Sequence, residues 1–262
     1  MATVKNVFDY LCEVAPIEIK SERDNIGFLV GRSDTDVSKI ILALDITSDV
    51  ISEAKSSDAN LIVSHHPLFF SLSNITDSDV TGKKILKLIE NGISAICMHT
   101  NLDAALSGVN YVLADIAGIA DSKPINENNQ TSDGEFSCGR FGFLKMPCNM
   151  SEYLKNLKTS LKTDGLRYYD AGRDVHKVAV AGGSGSAEFK SIIEKGCDTF
   201  VTADIKYHLF LEAKELGINL IDGGHFCTEN VIIPPLADKL RTKFPQIDVF
   251  VSENHKQTVK FG

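Results

Sequence analysis

The chain of 262 residues is long enough for one large domain or two smaller ones. Hydrophobic residues make up 43% of it and charged residues 24%, a composition that indicates a folded globular protein and excludes disordered, collagen-like and disulfide-scaffold chains. The formal net charge of -8 argues against nucleic acid as the main partner, because contact with a phosphate backbone requires a basic surface.

The N-terminal residues 1–15 have an amphipathic pattern that predicts a helix, and Asp9 and Glu13 distinguish this segment from a cleavable export signal. No apolar run approaches the roughly 20 residues that a membrane-spanning helix needs. The 6 cysteines include no C-x-x-C pair, so neither a zinc ribbon nor a disulfide framework is indicated. We therefore expect a cytoplasmic protein with no membrane partner.

Apolar runs of strand length then alternate with helical patterns. Strands are predicted over residues 39–46, 61–64 and 93–98, with a helix up to residue 58 and another over 83–91. This β-α-β-α-β order is typical of a parallel sheet.

A helix over residues 104–117 is followed by the segment 119–134, which is rich in Asn, Ser, Asp and Gly and where we place a domain boundary. A strand over 135–146 and an amphipathic helix over 151–161 begin the next part of the chain. We predict a first α/β lobe of residues 1–125, completed by residues 230–262, and a second α/β lobe of residues 126–229.

The second lobe repeats the order of the first. Three pairs of segments correspond, namely 39–45 with 177–183, 59–65 with 197–203, and 91–97 with 216–222. Identities are few, and any two α/β segments share this much, so chance similarity and two related lobes both stay open.

Three predicted strands run directly into polar side chains suited to metal binding. These side chains are His65 and His66, His99 and Asp103, and His225 and Glu229. The carboxyl ends of parallel strands meet at one edge of a sheet, where ligands bind. Pro67 comes directly after the two adjacent histidines and breaks the regular strand there, so both histidine side chains can face one site. The other two pairs have a four-residue spacing that places both side chains on one helical face.

Imidazole and carboxylate groups are ligands for zinc, iron, manganese, nickel or cobalt, and a bridging carboxylate can hold two ions about 3.5 to 4 Å apart. Asp103 and Glu229 are the candidate bridges. Each motif alone is more typical of a polar turn or a solvated helix face. Three such motifs at three strand ends predict a metal site.

Several specific motifs along the chain occur together in one known family. They are residues 24–31 (Asp-Asn-Ile-Gly-Phe-Leu-Val-Gly), 64–68 (Ser-His-His-Pro-Leu), 99–104 (His-Thr-Asn-Leu-Asp-Ala), 181–185 (Ala-Gly-Gly-Ser-Gly), 202–208 (Thr-Ala-Asp-Ile-Lys-Tyr-His) and 221–229 (Ile-Asp-Gly-Gly-His-Phe-Cys-Thr-Glu). With these motifs in this order, nearly the whole chain resembles the NIF-three-like dinuclear metal-centre family, whose bacterial members are labelled GTP cyclohydrolase 1 type 2 homologues.

The resemblance implies two similar α/β lobes with mostly parallel sheets and a metal site in the cleft between them. It implies two divalent ions per chain, held by His65, His66, Asp103, His225 and Glu229, with His99 beside them as a proton shuttle. It also implies a homohexamer, a ring or cage with its clefts opening inward. The usual tryptophan before Asp24 is replaced by Arg23, and the segment 119–134 is too short for the domain that some members insert.

The activity implied is hydrolytic opening of the imidazole ring of GTP by a metal-activated water, with a small-molecule substrate of the nucleotide class. Two alternatives stay open. One is a metal-dependent phosphoesterase or amidohydrolase that acts on another small molecule, and the other is a metal-binding hexameric scaffold without turnover.

Two further segments have weaker signals. The glycine-rich loop 182–186 follows a predicted strand and lacks the lysine of a P-loop, so a tight strand-to-helix turn is favoured over a phosphate cradle. Asp204 is predicted to cap a helix, with Lys206 as a residue that could face the cleft.

Overall fold

The computed structural model describes residues 2–126, 130–131, 134–135 and 137–261. The chain forms two compact units: a first unit of Met1–Leu102 with Ile233–Lys256, and a second unit of Asp103–Ile232 with Gln257–Gly262. The domain limits that we predict at 125/126 and 229/230 stay predictions. Within the predicted boundary segment 119–134, residues 127–129 and 132–133 lie outside the described residues. Phe136, in the predicted strand 135–146, lies outside them as well.

The elements alternate along both units. The strands are β1 (Gly27–Val30), β2 (Lys39–Ala43), β3 (Leu61–Ser64), β4 (Ser94–Cys97), β5 (Ile119–Pro124), β6 (Gln130–Thr131), β7 (Gly134–Glu135), β8 (Arg140–Cys148), β9 (Arg167–Tyr169), β10 (Val175–Val180), β11 (Thr199–Thr202), β12 (Asn219–Asp222) and β13 (Asp248–Val251). The helices are α1 (Val4–Val14), α2 (Ser48–Ser56), α3 (Val80–Glu90), α4 (Thr100–Ala104), α5 (Val109–Ile116), α6 (Met150–Ser160), α7 (Phe189–Glu194), α8 (Tyr207–Leu216), α9 (His225–Glu229) and α10 (Ile233–Lys243). Short 3-10 turns cover Ile17–Ile19, Gly185–Glu188 and Asn230–Ile232.

Short polar side chains set the starts of several helices, as their positions before apolar runs indicate. The hydroxyl of Thr47 accepts from the backbone amide of Val50 at the start of α2. The carboxylate of Asp79 accepts from Gly82 in α3 at 2.8 Å. Along the described chain, no helix has the length and apolarity needed to cross a membrane.

The first unit contains a five-stranded sheet in the order β1-β4-β3-β2-β13. Strands β13, β2, β3 and β4 are parallel, and β1 is antiparallel to β4. Side chains of helices α2 and α3 pack on the sheet in one apolar cluster with Ile41, Ile62, Val50, Ala54, Ile85 and Leu88. The predicted β-α-β-α-β order is confirmed for this unit.

The second unit contains a six-stranded sheet in the order β5-β8-β10-β11-β12-β9. Its central strands β10, β11 and β12 are parallel, whereas β5, β8 and β9 join through antiparallel pairs. Helices α5 and α6 cover one face, and α7 and α8 cover the other. Both faces are therefore buried, which explains why β11 and β12 are buried at every position. The predicted α/β fold class is confirmed.

The two sheets share their strand register. In the first unit, Ile40, Leu61 and Ser94 lie side by side across β2, β3 and β4. In the second unit, Val178, Thr199 and Asn219 lie side by side across β10, β11 and β12. These are the residues that the sequence alignment of the two lobes pairs with one another. In each sheet an antiparallel strand also pairs with the third of these parallel strands: β1 pairs with β4, and β9 pairs with β12.

Some predicted elements differ from the observed ones. The helix predicted over 104–117 begins later than predicted, because α5 starts at Val109 with Gly108 at its N-cap and the separate helix α4 ends at Ala104. The prediction that Asp204 caps a helix is wrong, because α8 begins at Tyr207 with Lys206 at its N-cap. Asp204 instead has a positive φ of 52°, and its side chain has a different partner, described below.

Candidate metal centre

Three histidines converge in the first unit, and we call them the histidine cluster: His65, His66 and His99. Their ring nitrogens lie within 4.8 Å of one another. The ring centroid of His65 is 5.0 Å from that of His66 and 5.2 Å from that of His99. His65 and His66 come directly after β3, and His99 comes after β4 with one residue between them. The adjacent parallel strands therefore place all three rings at one edge of the sheet.

Each imidazole in the histidine cluster is oriented by an oxygen at its Nδ1. His65 Nδ1 lies 2.9 Å from the backbone oxygen of Met98, His66 Nδ1 lies 2.7 Å from Asp45 Oδ1, and His99 Nδ1 lies 2.9 Å from Asp24 Oδ1. A carbonyl and an ionised carboxylate only accept hydrogen bonds, so each Nδ1 carries the proton. An imidazole held in this way presents Nε2 as the nitrogen that can bind a metal ion.

Asp24 fixes the position of His99 from a distant part of the chain. Its side chain is 2% exposed, and its second oxygen accepts from the backbone amide of Thr100 at 3.1 Å and from the Thr100 hydroxyl at 2.5 Å. Burial would raise the pKa of this carboxyl, but the hydrogen bonds from His99 and Thr100 outweigh it and hold the pKa well below its usual range. Asp24 is therefore ionised, and both of its carboxylate oxygens accept hydrogen bonds.

Asp45 links His66 to a residue near the C-terminus. Its Oδ2 lies 3.0 Å from Nε2 of His255, while Oδ1 holds His66. Burial opposes ionisation here as well, but hydrogen bonds from His255 and His66 hold the pKa of Asp45 well below its usual range. The carboxylate of Glu53 accepts from the Ser252 hydroxyl and the Asn254 amide, which fixes the backbone that carries His255.

The second unit brings together the remaining predicted ligands, which we call the acidic cluster: Asp103, His225 and Glu229. Carboxylate oxygens of Asp103 and Glu229 lie within 4.8 Å of one another. His225 Nε2 is 3.0 Å from Glu229 Oε2, so the two residues share one face of α9 as their spacing predicts. Asp103 is 9% exposed and Glu229 is 3% exposed. Buried carboxylates of this kind are paired or bind cations in folded proteins.

Asp204 orients His225 from the loop after β11. Its Oδ2 lies 2.6 Å from His225 Nδ1 and also accepts from the Ser184 hydroxyl at 2.5 Å. The hydrogen bond to Glu229 is the main cause that raises the pKa of His225 to about 9, with Asp204 adding to it and burial opposing it. Ligation of a cation through Nε2 requires the neutral ring, so metal binding here is expected to release a proton.

The glycine-rich loop 182–186 is a structural part of the acidic cluster. Gly182 donates its amide to Asn110, Gly183 to Thr228, and Gly185 to Thr202. The amides are thus used within the protein, in agreement with a tight turn rather than a phosphate cradle. Gly183 has a φ of +59°, and a Cβ there would overlap Oε1 of Glu229. Only glycine leaves room for that carboxylate.

These residues fit a bound divalent cation. The donor set is imidazole and carboxylate, which suits zinc, iron, manganese, nickel or cobalt. Metal-binding histidines usually donate their second ring N–H to a carboxylate or a backbone carbonyl, and His65, His66 and His99 all have such a partner. Buried His, Asp and Glu groups in this protein could therefore hold metal.

Comparison with known proteins identifies the family of this chain. The model of the Duf34/NIF3 (NGG1p interacting factor 3) family matches residues 2–258. The chain belongs to the Duf34/NIF3 family. The motif resemblance found in the sequence is thereby confirmed.

Individual Duf34/NIF3 relatives match over their full length. A Clostridium acetobutylicum protein named GTP cyclohydrolase 1 type 2 homolog is 35% identical, covering 98% of each chain. A Clostridium perfringens protein of the same name is 34% identical over 98% of this chain and 99% of its own. Among solved structures, a Staphylococcus aureus hypothetical protein superposes with a TM-score of 0.91 at 27% identity and covers 99% of both chains.

The sequence missed the residues that orient the ligands: Asp24, Asp45, Asp204 and His255. Asp45 lies inside the strand predicted over 39–46, whereas the observed β2 ends at Ala43 and places Asp45 at the same edge of the sheet where the histidines follow β3 and β4. Asp24 and Asp204 lie within family motifs but had no assigned contact. His255 follows an ordinary polar segment and has no sequence signal.

Proposed function

We propose that this protein is a metal-dependent hydrolase with a dinuclear centre whose ligands are His65, His66, Asp103, His225 and Glu229. The observation that carries the proposal is the histidine cluster, in which every Nδ1 is held by an oxygen acceptor, the orientation in which metal-binding histidines usually ligate through Nε2. The acidic cluster supplies buried carboxylates of the kind that can bridge two ions. We assign both clusters to one centre in this proposal, as the motif resemblance implies.

Two bound divalent ions would supply Lewis acidity and lower the pKa of a water molecule toward neutrality. His99 is the proton shuttle in this proposal, because Asp24 keeps its Nδ1 protonated and leaves Nε2 to take up and return a proton. Asp24 positions the ring and stabilises its charged form. The Asp45 carboxylate plays the corresponding orienting part for His66.

The substrate we propose is a nucleotide, and the reaction is hydrolytic opening of the imidazole ring of GTP. This choice rests on the names of the Clostridium relatives, GTP cyclohydrolase 1 type 2 homolog. We also propose a cytoplasmic location, which agrees with none of the six cysteines forming a disulfide.

Removal of metal tests the function directly. Treatment with a chelator is expected to abolish conversion of GTP, and added manganese or zinc is expected to restore it, because water is a poor nucleophile at neutral pH without a Lewis acid. Mass spectrometry of the product separates ring opening, which adds water to the purine, from loss of phosphate.

The identity of the product also decides among the alternative functions. Loss of phosphate with an intact purine ring would assign a phosphoesterase. If metal-loaded protein converts no nucleotide in a broad panel, the cyclohydrolase proposal is wrong, and if amide and ester substrates also remain intact, the protein is a metal-binding scaffold.

We further propose a homohexamer, which the family resemblance implies. Sedimentation equilibrium over a broad concentration range is expected to give a single species of six chains. A monomer throughout that range would contradict the assembly without touching the metal ligands.

A further inference from the structure

An aromatic side chain lies exposed beside the histidine cluster. The segment after His66 continues with Leu68, Phe69 and Phe70. Leu68 and Phe69 pack against the apolar core of the first unit. Phe70 turns away from that core and is 63% exposed. Single exposed apolar residues are common, so the exposure alone has no meaning for function.

The position of Phe70 is what distinguishes it. The centroid of its ring is 6.1 Å from that of His99, with the planes at 64° in an edge contact. His99 in turn lies 5.5 Å from His66, centroid to centroid. The phenyl ring is therefore next to the imidazole that the proposed reaction uses for proton transfer.

The backbone that carries Phe70 is fixed by the same short motif that fixes His99. Asn25 donates from Nδ2 to the backbone oxygen of Phe69 at 2.7 Å. Its neighbour Asp24 holds His99 at 2.9 Å. Two adjacent residues thus hold the backbone next to Phe70 and the imidazole of His99.

Phe70 also lines a groove of about 510 Å³, within the range of small-molecule sites. The rest of the lining is mixed: Leu68, Phe69 and Leu72 are apolar, whereas Ser73 and Asn74 in the loop, and Asp79 and Thr81 at the start of α3, are polar. An apolar ring beside hydrogen-bonding groups matches a ligand that has a flat π face and a polar edge.

We propose that Phe70 is a stacking platform for the planar heteroaromatic ring of the substrate, and that it selects substrates containing a nucleobase. This inference rests on the proposed function in one respect, since it places that ring beside His99. Every base has a π face, so the platform favours aromatic substrates as a class and leaves the choice among bases to hydrogen bonding.

Equilibrium binding tests the platform with full-length, metal-loaded protein. The probe is 7-deaza-GTP, a planar purine analogue in which carbon replaces an imidazole nitrogen, so that opening of the ring by water does not consume it. Inorganic triphosphate is the comparison ligand without a base. Phe70→Leu is expected to weaken binding of 7-deaza-GTP by about 5-fold to 150-fold, the range that loss of one base–aromatic stack gives. Binding of triphosphate should not change.

Two variants serve as controls. Phe70→Trp keeps a stacking face and is expected to bind 7-deaza-GTP at least as tightly as the wild type. Tyr168→Leu removes an aromatic ring that is 52% exposed on β9 and is expected to leave both affinities unchanged.

The outcomes separate this inference from the proposed function. Equal affinity of Phe70→Leu and wild type for 7-deaza-GTP overturns the platform, as does a wild type that binds the analogue no more tightly than triphosphate. If Phe70→Leu alters the sedimentation of the protein but not its affinity, the ring is a contact between copies, and the platform is again wrong. If the wild type hydrolyses no nucleotide yet shows the predicted affinities, the proposed function is wrong and the stacking platform stands.

Discussion

Replacement of Asp103 by Asn or of Glu229 by Gln is expected to reduce bound metal from close to two ions per chain to about one or fewer. Each carboxylate is proposed to bridge both ions, so loss of its charge weakens two sites together. Both side chains are buried, where a carboxylate contributes more electrostatic attraction to a cation than it would in water. Elemental analysis of metal-loaded protein gives the stoichiometry.

The control for this experiment is Glu215→Gln, which makes the same change on an exposed part of α8 in the same unit. It is expected to keep the wild-type metal content. Circular dichroism of each variant shows whether the fold is intact. Unchanged stoichiometry in both Asp103→Asn and Glu229→Gln would remove the bridging assignment.

His99→Ala is expected to retain metal and lose most of the catalytic rate. A general acid or base typically contributes about 100-fold to 10,000-fold, and His99 is the residue to which we assign that role. Asp24→Asn should give a smaller loss of about 10-fold to 100-fold, because the ring stays while its orienting carboxylate is neutralised.

Metal content, measured alongside turnover, separates a proton-transfer defect from loss of the centre. Asp36→Asn changes an exposed aspartate of the same unit and should leave the rate and the metal content unchanged. A His99→Ala protein that works at the wild-type rate would show that the proton moves through another group.

The arrangement of strands was predictable because it depends on local patterns. Parallel strands buried on both faces appear in the sequence as short apolar runs, and polar residues directly after them mark the edge where ligands bind. The aligned registers of Ile40, Leu61 and Ser94 with Val178, Thr199 and Asn219 follow from the same runs. Spacing alone also predicted that His225 and Glu229 share a helical face.

The orienting residues were not predictable from spacing. Asp24 is 75 residues from His99, and His255 is 210 residues from Asp45. Contacts over such distances depend on how the whole sheet folds, and a lone aspartate before a strand resembles any surface acid. The position of Phe70 was missed for a related reason, because Phe69 and Phe70 are identical neighbours and only the fold shows which one packs against the core.

The return of the chain to the first unit has a consequence for the order of events during synthesis. Strand β13 pairs with β2, so β2 is an edge strand with open backbone groups until residues 248–251 leave the ribosome. They follow Leu102 by about 150 residues, which at roughly 5 to 20 residues per second is a delay of about 7 to 30 s. His255 comes later still and reaches Asp45, the partner of His66. The first unit therefore has an unpaired sheet edge while residues 103–232 of the second unit are synthesised, and the contact that supports a proposed metal ligand becomes possible only after them.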